Sequence, residues 1–247
     1  LKNSQLQTVL DEAVEELEIP GAVMYISGPQ GTWIGASGYS DLDSETLMKT
    51  DDRLALASVS KTFVGVVILK LVEQGQLNLD ESINKYLPKD ISKNIRYSDK
   101  ITVRQLLNHS SGIIDYLDDN FAEITEGRSR SQPWKAREVI KLIYGEPQAK
   151  PGKKHDYSNS NYILLELIVE ETTGKSLAEV MREKILNPIG LKNTFTELRE
   201  RKSTSIVTGY SDINEDGVLK SHKGLNEGNG LGDGGLISNA IDTAKFI

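Results

Sequence analysis

Apolar residues fall at helical spacing along the first twenty positions: Leu6, Val9, Leu10, Ala13, Val14 and Leu17 share one face, and Pro20-Gly21 stops the run. Two short β-like runs follow. AVMYIS at 22–27 and TWIGAS at 32–37 read as strands, and Gly28-Pro29-Gln30-Gly31 joins them into a hairpin. After a polar loop, ALASVSKTFVGVVILKLVEQGQL (55–77) returns to helical spacing. From Asp80 to about Lys202 the chain is mostly helical. ITVRQLLNHSSG, QPWKAREVIKLIYG, SNYILLELIVEETTG and SLAEVMREKILNPIG carry apolar residues at steps of three and four; all four end on a glycine, and three of these are read as caps. IVTGYSD and GVLKS follow as strands around the turn Asn214-Glu215-Asp216-Gly217. SNAIDTAKFI opens as a helix capped by Ser238 or Asn239, and the residues given stop inside it at Ile247.

These elements predict a mixed α/β fold: a sheet domain at 1–79 and 203–247, and an inserted helical domain at 80–202 with a cleft between them. The length of 247 residues and a 38% hydrophobic content are enough for a substantial core. Lys and Arg number 29 against 36 Asp and Glu, a net charge of −7 that argues against a nucleic-acid partner but allows a small anionic substrate at a locally positive site. With no cysteine, disulfide frameworks and thiolate metal sites are excluded. The apolar run from Phe63 to Leu71 is too short for a membrane span and carries Lys70, with Glu73 just beyond it. The opening residues follow an amphipathic helix pattern rather than that of a signal peptide.

Ser58 and Lys61 sit at the head of the apolar helix, where a core-filling role has no use for an ammonium group. Residues three apart on a helix lie about 60° from one another, so the two side chains share a face while Ser60 points elsewhere. A serine hydroxyl becomes a nucleophile only when a neighbour takes its proton. A lysine can do so when burial and a helix start favour its neutral form, and the free N–H groups of that start can stabilise an oxyanion. The same pattern also fits a serine-rich cap followed by a surface lysine. In HDYSNSNY (155–162), Tyr157 and Asn159 lie two apart and face one side while Ser158 turns away. A phenol near Lys61 can act as general base on Ser58, and Asn159 offers donors and an acceptor for a substrate amide. These residues also suit a plain turn before a helix.

With both motifs, and with LVEQGQLNLDESINKYLP, ITVRQLLNHSSG, PGKKHDYSNSNY and GDGGLISNAIDTAKF in the same order, the chain resembles the serine penicillin-recognising family of class C β-lactamases and D-alanyl-D-alanine carboxypeptidases. The resemblance implies an α+β fold in which an antiparallel sheet is flanked by helices and carries an inserted helical domain. It implies that Ser58 is acylated, Lys61 is its proton partner, Tyr157 is general base or acid, Asn159 contacts the substrate amide, and the Ser58 N–H is half of an oxyanion hole. It implies no metal and no cofactor, and a small-molecule substrate met outside the cytoplasm: a peptidoglycan peptide, a β-lactam or an ester. The family's third motif, Lys or His, a small residue, then Gly, would follow the Ser238 helix and is not among the 247 residues. On this reading a C-terminal stretch or a second chain supplies that motif and the strands that pair with the 22–37 hairpin. Esterase activity of the same type, or a non-catalytic binding or regulatory relative, is the alternative.

Other signals are weaker. No serine sits in the G-x-S-x-G setting of an α/β-hydrolase. His109 is expected to fix a loop, His155 to tune Tyr157, and His222 to be a solvated turn residue. Asp212 to Gly217 imitates the opening of an EF-hand, but Lys223 stands where a bidentate glutamate is needed, so a hairpin tip is expected. Gly230 to Gly235 fits G-x-G-x-x-G without a clear preceding strand, and the family resemblance implies that this loop flanks the active site. The acidic run from Asp115 to Asp119 reads as a solvated loop.

Overall fold

The computed structural model describes residues 3–117, 133–145, 147–200, 206–212, 217–222 and 230–247. Helix α1 (Asn3–Glu16) lies against a hairpin of β1 (Gly21–Gly28) and β2 (Gly31–Asp41), paired antiparallel from Gly21↔Gly38 to Gly28↔Gly31. The two-residue turn Pro29-Gln30 fixes that register. Strand β3 (Thr46–Leu47) extends the sheet beside β2 past an irregularity between Tyr39 and Asp41.

A second sheet, β4 (Leu54–Ala55), β8 (Leu236–Ser238) and β5 (Phe195–Thr196), is antiparallel with β8 at its centre. Its placement governs the site. Pairing Ala55 with Ile237 sets the residues after β4 beside those before β8, although they are about 180 positions apart in sequence. A third pair, β6 (Tyr210–Ser211) and β7 (Lys220–Ser221), matches the two strands expected there; of their turn, Asn214, Glu215 and Asp216 lie outside the described residues, as does Lys223. Asp212 accepts the Gly217 N–H across that tip at 2.8 Å. His222 departs from expectation: its ring shares a hydrogen bond with the Ser211 hydroxyl and is half-buried.

The core is built on two helices of fourteen residues, α2 (Ser60–Glu73) and, further along the chain, α6 (Ser160–Thr173). Phe63, Val64, Val67, Ile68 and Leu71 of α2 pack in one cluster with Ile163, Leu164, Leu165, Leu167, Ile168 and Val169 of α6, and all are fully buried. Every residue of α6 from Ser160 to Val169 is buried, the pattern of a helix with no solvent face over that span. It ends at Gly174, whose φ of 69° is the left-handed cap that glycine adopts without strain.

The rest of the helical block is shorter than its periodicity suggests. Helices α3 (Lys89–Ser92), α4 (Val103–Leu107), α5 (Ala136–Val139) and α7 (Leu177–Met181) have four or five residues each, with 3₁₀ or π turns continuing α5 and α7. Helix α4 stops early because His109 turns left-handed at φ 56°, its carbonyl accepting the Asp156 N–H at 2.7 Å. Gly112 follows at φ 77°, where a Cβ would lie 2.2 Å from the Ala149 carbonyl oxygen. The HSSG glycine is therefore required for close approach and does not cap the helix. The last helix, α8 (Ala240–Phe246), is capped by Asn239, whose Oδ1 accepts the Asp242 N–H at 2.9 Å. No helix among the described residues is long and apolar enough to cross a membrane.

Candidate active site

Ser58 does not lie in α2 itself. It sits in the 3₁₀ turn Ala57–Val59 that leads into it. The Leu56 N–H is tied to the Leu236 carbonyl (2.8 Å), and the chain then passes through Ala57 at φ 45°, a left-handed conformation that costs a non-glycine residue about 1 kcal/mol. The sharp turn leaves Ser58 exposed and directs α2 inward, so Ser60 is buried and its Oγ accepts the Leu236 N–H at 3.1 Å. The two serines of S-V-S-K thus divide the work: one faces solvent, the other ties the helix to β8.

Lys61 follows one turn later and is 95% buried. Its ammonium donates to Ser58 Oγ (3.0 Å), Asn159 Oδ1 (2.7 Å) and the Asp233 carbonyl oxygen (2.6 Å), which uses all three of its N–H bonds. Tyr157 Oη donates to Ser58 Oγ at 3.0 Å from the other side. The serine oxygen therefore has an amine nitrogen and a phenol oxygen within proton-transfer reach. Tyr157 remains 46% exposed, so Ser58 and the phenol are open to a ligand.

The four residues singled out by motif, Ser58, Lys61, Tyr157 and Asn159, come together. Asn159 is placed differently from the simple extended picture. It stands at the head of α6 in a helical conformation and is shared between Lys61 and Asp115, whose Oδ2 accepts both Asn159 Nδ2 (2.8 Å) and the Asn159 N–H (3.2 Å). Ser158 turns away as expected and donates to the Ile114 carbonyl at 3.1 Å.

Asp115 is the clearest correction. It reads as part of a solvated acidic loop, yet its carboxylate is bonded into the site; Asp118 and Asp119 lie outside the described residues. Tyr116 and Asp233 carried no signal as a pair. Tyr116 Oη donates to Asp233 Oδ2 at 2.7 Å, and both are buried. Burial pushes the Asp233 carboxyl up to about 6, against the lowering pull of Tyr116 and Lys61, and pushes the Tyr116 phenol far above its ordinary range. The glycine loop 230–235 does flank the site, since its Asp233 carbonyl grips Lys61.

His109 holds its loop as expected. Its Nδ1 accepts the Ser158 N–H at 3.2 Å, and its ring stacks on Tyr157 with centroids 4.3 Å apart. Burial, then Lys61 and His155, lower its pKa, so the imidazole is neutral and keeps its lone pair toward Ser158. His155 stands edge-on to His109 at 6.0 Å.

A mixed α/β fold with a serine oxygen held between the lysine of S-x-x-K and a tyrosine defines the class of penicillin-binding and serine-hydrolase folds. Within that class the chain belongs to the Beta-lactamase family, whose model matches residues 6–247. Protein flp of Staphylococcus aureus (strain MW2) is 30% identical over 208 residues, 83% of this chain and 41% of its own length. Penicillin-binding protein 4* of Bacillus subtilis (strain 168) is 28% identical over 196 residues, 78% of this chain and 41% of its own. The chain thus spans about two-fifths of the length of these curated relatives. Among solved structures, a D-stereospecific amidohydrolase from Streptomyces sp. superposes with a TM-score of 0.83 at 28% identity, covering 100% of this chain and 72% of that one.

Proposed function

We propose that this chain carries the centre of a serine hydrolase that works through an acyl-enzyme on a peptide or β-lactam amide. One observation carries the reading: Ser58 Oγ lies 3.0 Å from both Lys61 Nζ and Tyr157 Oη. In the reaction, Ser58 Oγ bonds to the substrate carbonyl carbon as its proton passes to the Tyr157–Lys61 pair, which enters the step one proton short of the hydrogen-bonded form described above, as tyrosinate or neutral lysine. The same proton then goes to the departing nitrogen as the C–N bond breaks, leaving an ester on Ser58. Water resolves that ester by the reverse route. Asn159 sits beside the nucleophile, where its free amide N–H can meet a substrate carbonyl, and the Ser58 N–H serves as an oxyanion donor.

The substrate class follows from what the relatives are named for and from open access to Ser58. Peptidoglycan peptides ending in D-alanine and β-lactams are the first choice, with an extracytoplasmic place of action. The Streptomyces neighbour, a D-stereospecific amidohydrolase, adds D-amino-acid amides to the panel. Parallel assays of nitrocefin hydrolysis, D-alanine release from a short peptide, D-amino-acid amide hydrolysis and cleavage of a p-nitrophenyl ester sort the carboxypeptidase, β-lactamase, amidase and esterase readings. Activity on at least one substrate that disappears in Ser58→Ala is the expected result. Turnover that survives in Ser58→Ala contradicts the role of Ser58; no turnover on any substrate by the full-length protein contradicts the hydrolase reading and leaves a binding module.

A further inference from the structure

We propose that Asp115 and Tyr116 form a paired positioning device for Lys61, each acting through one of the two acceptors that aim its ammonium. This role presupposes the serine-hydrolase chemistry above. Lys61 has four rotatable side-chain bonds and three N–H donors, so what points one donor at Ser58 is the placement of the other two acceptors, Asn159 Oδ1 and the Asp233 carbonyl. Neither acceptor fixes itself. A carboxamide can turn either its oxygen or its NH₂ toward a neighbour, and the NH₂ would set donor against donor at the ammonium. Asp115 removes that choice: its carboxylate only accepts, it takes Asn159 Nδ2 at 2.8 Å, and the oxygen is left facing Lys61.

The second acceptor belongs to the glycine-rich loop Gly230 to Gly235, whose backbone is tied at Gly232 to Glu166 (2.7 Å) and at Gly235 to Glu197 (2.9 Å), which leaves Asp233 between them to be held through its side chain. Tyr116 supplies the hold by donating to Asp233 Oδ2 at 2.7 Å. The other oxygen, Oδ1, is buried without a hydrogen-bond partner among the described residues, so the phenol is the side-chain contact that secures this carboxyl. The arrangement is economical in sequence. Two consecutive residues send their side chains to the two acceptors. Their own backbone is pinned by the serines either side of Asn159: Ser158 Oγ donates to the Ile114 carbonyl (3.1 Å), and the Tyr116 N–H donates to Ser160 Oγ (2.9 Å). Segment 114–116, the head of α6 and the glycine loop therefore move as one body around the ammonium.

Around that ammonium stand the Tyr157 and Tyr162 rings, at 5.2 and 5.7 Å, the neutral His109, and the two carboxyl groups of Asp115 and Asp233. The test measures the acylation rate of Ser58 in the full-length protein with a fluorescent penicillin and a p-nitrophenyl ester, from about pH 5 to about pH 9, the span in which acid and base groups of such sites titrate. The variants are Asp115→Asn, Tyr116→Phe and the double variant. Asp115→Asn keeps shape but can donate as well as accept, so Asn159 is free to flip. Tyr116→Phe removes the side-chain donor to the Asp233 carboxyl.

Each single variant is expected to lower the acylation rate by roughly tenfold to a hundredfold, as misplacement of a reacting group does. The acid limb of the rate profile moves to lower pH, as expected where a facing negative charge or an acceptor is lost from the site, while melting temperature changes little. A merely structural role would leave the limb where it is. Folded variants with the wild-type rate and limb overturn the proposal, as does a loss accounted for by unfolded protein alone. Should Tyr116→Phe fail to fold, Asp115→Asn decides by the same two outcomes. A wild-type chain that gives no Ser58-dependent product overturns the hydrolase reading along with this one; Ser58-dependent product with unchanged variants overturns this one only.

Discussion

Helices α2 and α6 and the β1–β2 hairpin are all written in apolar residues, yet they use them differently. The two helices pack a full set of side chains out of water and meet in one cluster. The hairpin keeps Met24 and Ile26 more than a third exposed, and in β2 only Gly35 is fully buried. Function follows the first pattern. Ser58 and Lys61 stand at the start of α2, Tyr157 and Asn159 at the start of α6, and the hairpin supplies none of the site's described contacts. Two buried rods whose leading ends surface side by side hold a nucleophile and its proton partners more firmly than loops alone, because moving either end means repacking a core.

The contrast can be broken or sharpened by substitution. The largest expected effect is on rate without stability: Tyr157→Phe removes one exposed oxygen, so it should lower turnover by about 100- to 10,000-fold while the urea midpoint stays put. A matching loss of stability would mean that the site and the core are not separable. The reverse is expected inside α6, where Ile168→Ala should cost about 2–5 kcal/mol in denaturant unfolding. A cost near zero would contradict the packing described.

Glu166 gives a third handle. It is buried on the same helix and accepts the Gly232 N–H at 2.7 Å, and burial, reinforced by Glu170, pushes its carboxyl up to about 8. A raised carboxyl means that the folded state binds the proton more tightly, so the stability it contributes is complete below the ordinary value of 4.5 and is lost as pH rises toward 8. Glu166→Gln, which keeps an acceptor for Gly232, should flatten the fall in melting temperature over that window and stabilise the protein at pH 8 by a few kcal/mol at most, the order that such a shift allows. Parallel melting curves for the two proteins would refute the assignment. The smallest effect belongs to the hairpin: Ile26→Ala, at 40% exposed, should cost less than about 1 kcal/mol.

The same contrast marks what could be read from the chain alone. The hairpin was legible because two β-like runs flank a short glycine-bounded turn, although its second strand runs on to Asp41, beyond the run read at 32–37. Helix α6 was legible because a long apolar run ends on Gly174. The convergence of Ser58, Lys61, Tyr157 and Asn159 was legible only through family resemblance, since nothing local brings positions 58 and 157 together. What stayed hidden depends on distant pairing. The turn that lifts Ser58 out of α2 arises from β4 meeting β8, and the bond that takes Asp115 out of the solvent spans 44 residues. Local pattern sees a charge near other charges; only the fold shows the carboxylate against Asn159.

The central claim is that Ser58 is the atom that becomes acylated. Intact-mass spectrometry of the full-length protein after brief exposure to benzylpenicillin, followed by peptide mapping, tests it directly. The account predicts a gain of one penicillin located on the peptide containing Ser58, slowed in Lys61→Ala and absent in Ser58→Ala. An adduct on another residue, or one that persists in Ser58→Ala, would contradict it.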